Sequence, residues 1–350
     1  MCPKAKSRTS QPAAPSRGFD NELAALEALT EQLRAALTAS PEQVESLRKF
    51  LAHRNNFLVS KAARLAGDLE LAQLLPDILT AFDRFSMDPV KTDPKCWAKE
   101  ALAKVLVKLG HRSKDAYLRG MRHHQMEPSF GPPVDTAGAL RGTCAHALVD
   151  CPGISDADLL TALLEPLTDT DKTVRVEAAR AIGNVGGVSA ALLLRLRAMI
   201  GLSKRDQEEP EVMGAVYSAL LSMEGAAAVP LVAKALEAGD DAAGEAAFAL
   251  ADTRSPEALA ALLARLRDSA DPWFTTVLLS AIALTRLPEA MDFLIARIAG
   301  DNRDAPDAIE ALARVAPNEE LRARITQAVE QADSMRLRNA LRKHLPPIPE

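Results

Sequence analysis

Small apolar residues recur along this chain at helical spacing. In each copy an anchor residue is followed, three and four positions later, by two further apolar residues, usually Ala and then Leu or Ile. Offsets 0, +3 and +4 lie on one side of an α-helix, so every copy predicts a helix with one buried stripe. The pattern fits nine anchors, spaced 29 to 42 residues apart: Ala62, Leu102, Cys144, Ala178, Val216, Ala246, Leu278, Ala308 and Leu337.

A second amphipathic stretch precedes the marked helices, as at 256–268 and 288–300. Pro256 stands where the first of these begins, and proline suits the first turn of a helix. Asp171 and Asp271 are placed to cap two of the marked helices. Each repeating unit is therefore predicted to be a hairpin, with a first helix (helix A), a turn, and a second helix that carries the anchor (helix B).

The segment DKTVRVEAARAIGNVGG at 171–187 resembles a HEAT repeat, and the shorter units after Val216 resemble the bacterial phycobilisome-lyase type of that repeat. Asp171, Val174 and Arg175 match the Asp-x-x-Val-Arg signature of the family. The resemblance covers 41–345 and implies an all-α fold, a right-handed α-solenoid of about nine stacked hairpins. It also implies that the B helices line the concave face.

The ends of the chain depart from this pattern. Residues 1–20 are rich in Pro, Ser and Lys and are expected to form a disordered tail. A capping helix is expected at 21–40, and a C-terminal tail at 346–350, where prolines end the last helix. No apolar run has the length of a membrane span, and no apolar export segment stands near the start. We therefore expect a cytoplasmic protein.

The charge balance favours a protein partner over nucleic acid. Residues 1–135 carry 20 Lys/Arg and 16 Asp/Glu, a net of +4, and residues 136–350 carry 22 and 31, a net of −9. Strong basicity is expected of a general nucleic-acid binder, and the whole chain has a net charge of −5. Nucleic-acid binding, as in HEAT-like alkylpurine glycosylases, stays open as an alternative.

The sequence offers no clear catalytic motif. HEAT-like di-iron hydroxylases carry His-Glu dipeptides, but none of the six histidines here is followed by Glu. The cysteines (Cys2, Cys96, Cys144 and Cys151) show no metal-binding spacing, and we expect reduced, buried thiols and no bound cofactor. Cys144 and Cys151 are expected on one helix. The leading prediction is a non-catalytic scaffold or adaptor; a bilin-lyase-like enzyme or enzyme subunit is a further alternative.

The segment 111–144 is a candidate contact region. It concentrates basic and titratable side chains on a predicted helix A and its approach: Arg112, Lys114, Arg119, Arg122, His123 and His124. A Pro/Gly loop at 127–135 follows and carries Phe130. This loop either projects to bind a partner or covers an apolar gap, with Phe130 as its plug. Trp97 is expected in the core between repeats, and an interface role is its alternative.

A second candidate lies on the B helices at offset +2 from each anchor. That offset is about 200° around the helix from the anchor and should face outward. In the first four complete units it supplies Arg64, Lys104, His146 and Arg180. These residues either form a basic row that binds an acidic partner or are solvated charges with local partners, such as Asp68 for Arg64 and Asp150 for His146.

Overall fold

The computed structural model describes residues 17–36, 38–203 and 208–346. Within these ranges the protein is all-α, apart from one short β-hairpin. Sixteen residues of the expected N-terminal tail (1–16) and residues 347–350 of the C-terminal tail lie outside the described residues. Residues 17–20 are already helical, so the tail boundary at residue 20 is wrong. None of the helices in the described ranges has the length and apolar character to cross a membrane.

The elements follow one another with short connections. In chain order they are α1 (Arg17–Ala35), α2 (Pro41–Leu51), α3 (Asn56–Asp68), α4 (Leu75–Phe85), α5 (Pro89–Thr92), α6 (Trp97–Lys108), α7 (Lys114–Met121), β1 (Met126–Glu127), β2 (Val134–Asp135), α8 (Gly138–Leu148), α9 (Asp156–Leu167), α10 (Lys172–Val185), α11 (Gly187–Gly201), α12 (Pro210–Glu224), α13 (Val229–Ala235), α14 (Asp241–Asp252), α15 (Pro256–Arg267), α16 (Pro272–Thr285), α17 (Pro288–Ala299), α18 (Ala305–Arg314), α19 (Glu319–Ala332) and α20 (Met335–His344). Short 3₁₀ turns stand at Ala72–Leu74, Pro94–Cys96 and Gly225–Ala227.

Local sequence sets where the helices begin and end. Asp171 caps α10 by accepting a hydrogen bond from the backbone N–H of Thr173 at 2.8 Å. Asp271 caps α16 through the N–H of Trp273 at 2.9 Å. Such caps satisfy N–H groups that have no partner inside the helix. Gly186 ends α10 with φ at +73°, a backbone angle that glycine adopts without steric cost. Both predicted caps are confirmed.

The chain divides into two compact units, the N-terminal unit Met1–Cys144 and the C-terminal unit Ala145–Glu350. In the N-terminal unit α3 packs on α6 and α2 packs on α4, while α1 covers α2 and α3. In the C-terminal unit α10, α12, α14, α16, α18 and α20 each pack on the next member of this series. The intervening helices pack on their neighbours in sequence, with further contacts between α13 and α15 and between α17 and α19.

The predicted anchors lie on α3, α6, α8 and the six helices of this series. All nine anchors are fully buried, at 0% exposure. The residues at offsets +3 and +4 are also buried in seven of the nine helices, where the predicted stripe is confirmed. Ala219 on α12, and Ala340 and Leu341 on α20, are only partly buried. Small residues bring the helices close together: a Cβ atom on Gly183 of α10 would lie only 2.8 Å from the Cβ of Ala219 on α12. A larger residue at either position would push these helices apart.

The structure corrects two predictions about single residues. Trp97 is not in the core, because 41% of its surface is exposed. It is the first residue of α6, and its ring packs against Phe57, with 6.0 Å between the centroids, and lies 5.2 Å from the Lys95 Nζ. Cys151 does not share a helix with Cys144, since α8 ends at Leu148. Cys144 and Cys151 are buried as expected, while Cys2 lies outside the described residues.

Candidate partner-binding surfaces

The predicted loop at 127–135 is a β-hairpin with an exposed tip. Strands β1 and β2 pair antiparallel, with Met126 opposite Asp135 and Glu127 opposite Val134. Residues 128–133 at the tip are all exposed, and Phe130 shows 116% of its reference accessibility. Phe130 therefore plugs no gap, and that alternative is wrong. The strand pairing and the polar base of the hairpin keep the phenyl ring away from the core.

Asp135 holds the base of the hairpin in place. Its carboxylate accepts hydrogen bonds from the backbone N–H groups of Gln125 and Ala137, both at 3.0 Å. It also accepts from the Arg141 guanidinium at 2.6 Å and lies 2.9 Å from Nδ1 of His124. Burial alone would raise the pKa of Asp135, but these hydrogen bonds and the charge of Arg141 hold it well below its usual range.

A buried polar network continues from this base into the helical core. Nε2 of the buried Gln125 donates to the backbone oxygen of Asp93 at 2.8 Å and to the Glu127 carboxylate at 2.6 Å. The Asp93 carboxylate in turn accepts from Lys99 Nζ at 3.0 Å and from Asn56 Nδ2 at 2.9 Å. Asp93 and Lys99 are both completely buried. The hairpin base is thus linked to α3 and α6 through hydrogen bonds, and those of Asp93 with Gln125, Asn56 and Lys99 are buried.

The basic residues before the hairpin have different environments. Arg119 lies on α7 and pairs with Asp83 at 2.6 Å. Arg122, His123 and His124 follow the end of α7 at Met121, so their predicted place on a helix is wrong. Arg122 is exposed. His123 is half-buried, which lowers its pKa, and His124 contacts Asp135. The two histidines therefore contribute to the hairpin base.

In the N-terminal unit the offset +2 residues Arg64 and Lys104 are both exposed. Lys104 pairs with Glu100 on the same helix at 2.6 Å. Asp68 pairs with Lys108 at 2.8 Å and is not bound to Arg64, which corrects the alternative expected for Arg64. No described residue forms an ion pair with Arg64.

In the C-terminal unit the offset +2 residues His146 and Arg180 share one carboxylate. Arg180 NH1 lies 2.7 Å from Glu177 Oε1, and His146 Nδ1 lies 3.3 Å from Glu177 Oε2. His146 therefore has Glu177 as its ion-pair partner, and not the expected Asp150. The contact with Glu177 raises the pKa of His146 above its ordinary value. Glu177 stands directly before its anchor and so lies about 60° around the helix from offset +2, on the same exposed side.

His146 and Arg180 lie at one side of a cleft of about 530 Å³ on helices α8, α10, α12 and α14. Glu211 and Glu245 also line the cleft, and Gly214 leaves room for the Glu245 carboxylate. Burial raises the pKa of Glu245, and the nearby charge of Glu211 adds to this shift. No described residue donates a hydrogen bond to the Glu245 carboxylate. The cleft thus presents the cationic side chain of Arg180, which is already paired with Glu177, and the Glu245 carboxylate, which accepts no hydrogen bond from the described residues.

Neither Glu211 nor Glu245 stands at offset +2 from an anchor. Like Glu177, Glu245 stands immediately before an anchor, and this position would have marked it as outward-facing. Offset +2 marks a single line along each helix B, whereas the exposed surface of a packed helix includes several adjacent positions around its axis. Glu211 lies at the N-terminal end of α12, where the anchor pattern does not reach.

Comparison with known proteins gives little further guidance. No family model and no curated protein matches the chain. Among solved structures, one engineered protein is 17% identical over 93% of this chain and 95% of its own, with a TM-score of 0.32. Another engineered protein is 20% identical over 85% of this chain and 97% of its own, with a TM-score of 0.19. Similarities this low carry no argument about function.

Proposed function

We propose that this protein is a non-catalytic interaction scaffold, built as a right-handed α-solenoid of about nine HEAT-like hairpins. Three features support the architecture: the alternation of A and B helices, the nine buried anchors, and the packing of each helix B of the C-terminal unit on the next. In a solenoid each repeat contacts its neighbours, which leaves long surfaces free for a partner.

The observation that carries the proposal is the anchored hairpin with Phe130 at its tip. An aromatic side chain has few rotatable bonds, so inserting it into a partner's pocket costs little conformational entropy. Aromatic residues, phenylalanine among them, are also enriched at protein interfaces. Since the buried network from Asp93 to Asp135 already fixes the hairpin base, binding need not order it. The hairpin is therefore prepared to present Phe130 to a folded partner.

In this proposal the B helices of each unit offer further contact residues, on the concave side that the resemblance implies. Arg64 and Lys104 would face acidic groups of the partner, in keeping with the predicted basic row. The cleft beside Glu245 would accept a basic group, because a half-buried carboxylate gains a charge-assisted hydrogen bond there. Charges of this kind mainly set the rate and the salt dependence of association.

The test compares proteins captured from the native host by the wild type, Phe130→Ala and the control Leu164→Ala. Leu164 is also an exposed apolar side chain, but it lies on α9, a helix A of the C-terminal unit outside both proposed contact surfaces. We expect a defined set of proteins to be lost with Phe130→Ala and kept with Leu164→Ala, and the leading member to bind the purified scaffold directly. Thermal unfolding of both variants should match the wild type, since exposed substitutions rarely change stability by more than about 0.5 kcal/mol.

Identical capture by Phe130→Ala and wild type would contradict a role for the hairpin. The two alternative functions give distinct results with the same purified protein. A nucleic-acid binder would hold duplex DNA or tRNA with an affinity that falls steeply with salt. A bilin-lyase-like protein would carry a visible absorption band when it is isolated with its chromophore.

A further inference from the structure

Helix α11 exposes an apolar stripe on the C-terminal unit. Val188, Leu192, Leu196 and Met199 are between 56% and 77% exposed. Their spacing of four, four and three residues places them along one side of the helix for three turns. Exposed apolar side chains scattered singly are normal, but a contiguous patch marks a contact surface.

The opposite side of α11 is already packed. Leu194 and Ala198 are fully buried, and α11 contacts α10 and α12. Helices α13 and α17 occupy equivalent positions in their hairpins, and each also packs on the next helix A. No comparably close packing of α11 with α9 or α13 is found among the described residues. The stripe is therefore an extra surface that the hairpin itself does not need for its core.

The charges beside the stripe are neutralised within the chain. Arg195 makes two hydrogen bonds to Glu224, at 2.9 and 2.6 Å. Arg197 pairs with Glu208. A partner that covers the stripe thus needs no charge of its own at this place. The same stripe on a second copy of this chain meets that requirement, since its cations are equally neutralised and do not repel.

We propose that this protein forms a homodimer in which the α11 helices of two copies pack antiparallel about a twofold axis between Leu192 and Leu196. Such a pairing places Leu192 of one copy against Leu196 of the other, and Met199 close to Val188. A groove of about 340 Å³ beside the stripe, lined by Val188, Leu192 and Met223, has room for the incoming methionine.

The size of the patch agrees with a dimer of modest affinity. Covering two such stripes and the adjoining groove buries on the order of 1,000 Å² in total, the lower end for a specific interface. In a twofold-symmetric dimer every favourable contact between two different residues occurs twice, because each copy contributes both residues. We therefore expect dissociation to be measurable at micromolar concentration. This inference is independent of the proposed scaffold function.

Sedimentation velocity of the purified full chain tests the proposal. The monomer mass is 37.5 kDa, and the wild type should approach twice that value as its concentration rises to tens of micromolar. The double variant Leu192→Glu, Leu196→Glu should remain monomeric with unchanged circular dichroism, because both side chains are exposed. The matched control Leu164→Glu changes an exposed leucine on α9 outside the stripe and should keep the dimer.

A monomeric wild type at these concentrations would overturn the proposal and leave the stripe to a different protein or to a lipid surface. Dimerisation of the double variant equal to wild type would also overturn it, since the contact would then lie elsewhere. If the double variant loses helical signal, Leu196→Gln replaces it and should weaken self-association at least tenfold. A short bismaleimide should link two copies of a Leu192→Cys, Leu196→Cys variant well above the wild-type background.

Discussion

The buried ion pair between Lys99 and Asp93 gives the most direct test of the network under the hairpin. Lys99→Met keeps the length and apolar stem of the side chain but removes its charge. Asp93 then loses the hydrogen bond from Nζ at 3.0 Å, and the backbone oxygen of Phe85 loses its own bond from Nζ at 3.2 Å. Both charged side chains are 0% exposed, so water cannot replace the lost partner without opening the core.

The cost follows from the environment of the carboxylate left behind. Removing one member of a buried pair destabilises a protein by about 3–5 kcal/mol, mainly because the other charge stays unpaired. Asp93 keeps its bonds from Asn56 and from the backbone N–H groups of Ala98 and Lys99. We therefore expect a loss of about 3 kcal/mol, the lower end of that range.

Hydrogen exchange measured by mass spectrometry reports the loss of stability within α6 itself. It therefore does not assume that the two units unfold in a single transition. Peptides covering α6 should exchange roughly a hundredfold faster in Lys99→Met, the factor that about 3 kcal/mol gives. Lys104→Met on the same helix is the matched control. Its pair with Glu100 is exposed, and such pairs contribute only about 0.3–0.5 kcal/mol.

Equal exchange in Lys99→Met and Lys104→Met would refute the reasoning, because burial would then make no difference to the pair. A second comparison separates charge from packing. Adding Asp93→Asn to Lys99→Met removes the unpaired charge, and the double variant should recover part of the loss. Exchange in the hairpin at 126–135 should rise with that in α6, since Gln125 bonds to the backbone of Asp93.

Two further predictions concern stability. Because the pKa of Asp135 is lowered in the folded protein, its ionised form stabilises the fold above the ordinary carboxyl pKa of about 4, and this contribution is lost progressively as the pH falls from there through the lowered pKa. Urea unfolding should thus separate Asp135→Asn from wild type by a constant amount above about pH 5, and the separation should shrink steadily as the pH is lowered below about 4. A separation that does not change with pH would contradict the assignment. Gly183→Ala should lower stability by about 1–3 kcal/mol, because the new methyl group would meet Ala219 at 2.8 Å. The control Gly131→Ala, at the open hairpin tip, should melt at the wild-type temperature. Equal melting temperatures of Gly183→Ala and Gly131→Ala would contradict the prediction and show that α10 and α12 can move apart freely.

The B helices could be predicted from the sequence because their determinants are local. A buried stripe repeats every three to four residues, and a cap lies within three residues of the N–H that it satisfies. Ala178 and Asp171 illustrate this: the first is fully buried, and the second caps α10. The exposed side chains of Arg64 and Arg180 follow from the same periodicity. Their role in binding stays a prediction.

The network beneath the hairpin depends on residues far apart in the sequence. Asp93, Lys99, Gln125 and Arg141 are polar, and nothing in their immediate neighbours shows that they are buried. Burial of a polar group is favourable only if its partners arrive from other elements, which is a property of the tertiary structure. For the same reason a loop with a phenylalanine was compatible with either a plug or a projecting tip, until the strand pairing placed Phe130 outside.

Helix α11 shows the limit of sequence patterns most clearly. The segment at 187–201 is apolar on almost every side, a composition that normally indicates full burial. Its sequence determines that it is a helix, but it does not determine which side is covered. Neighbouring helices decide that: α10 and α12 cover Leu194 and leave Leu192 and Leu196 exposed. The apolar stripe therefore exists only in the tertiary structure, because exposure depends on what packs against a residue and not on the residue alone.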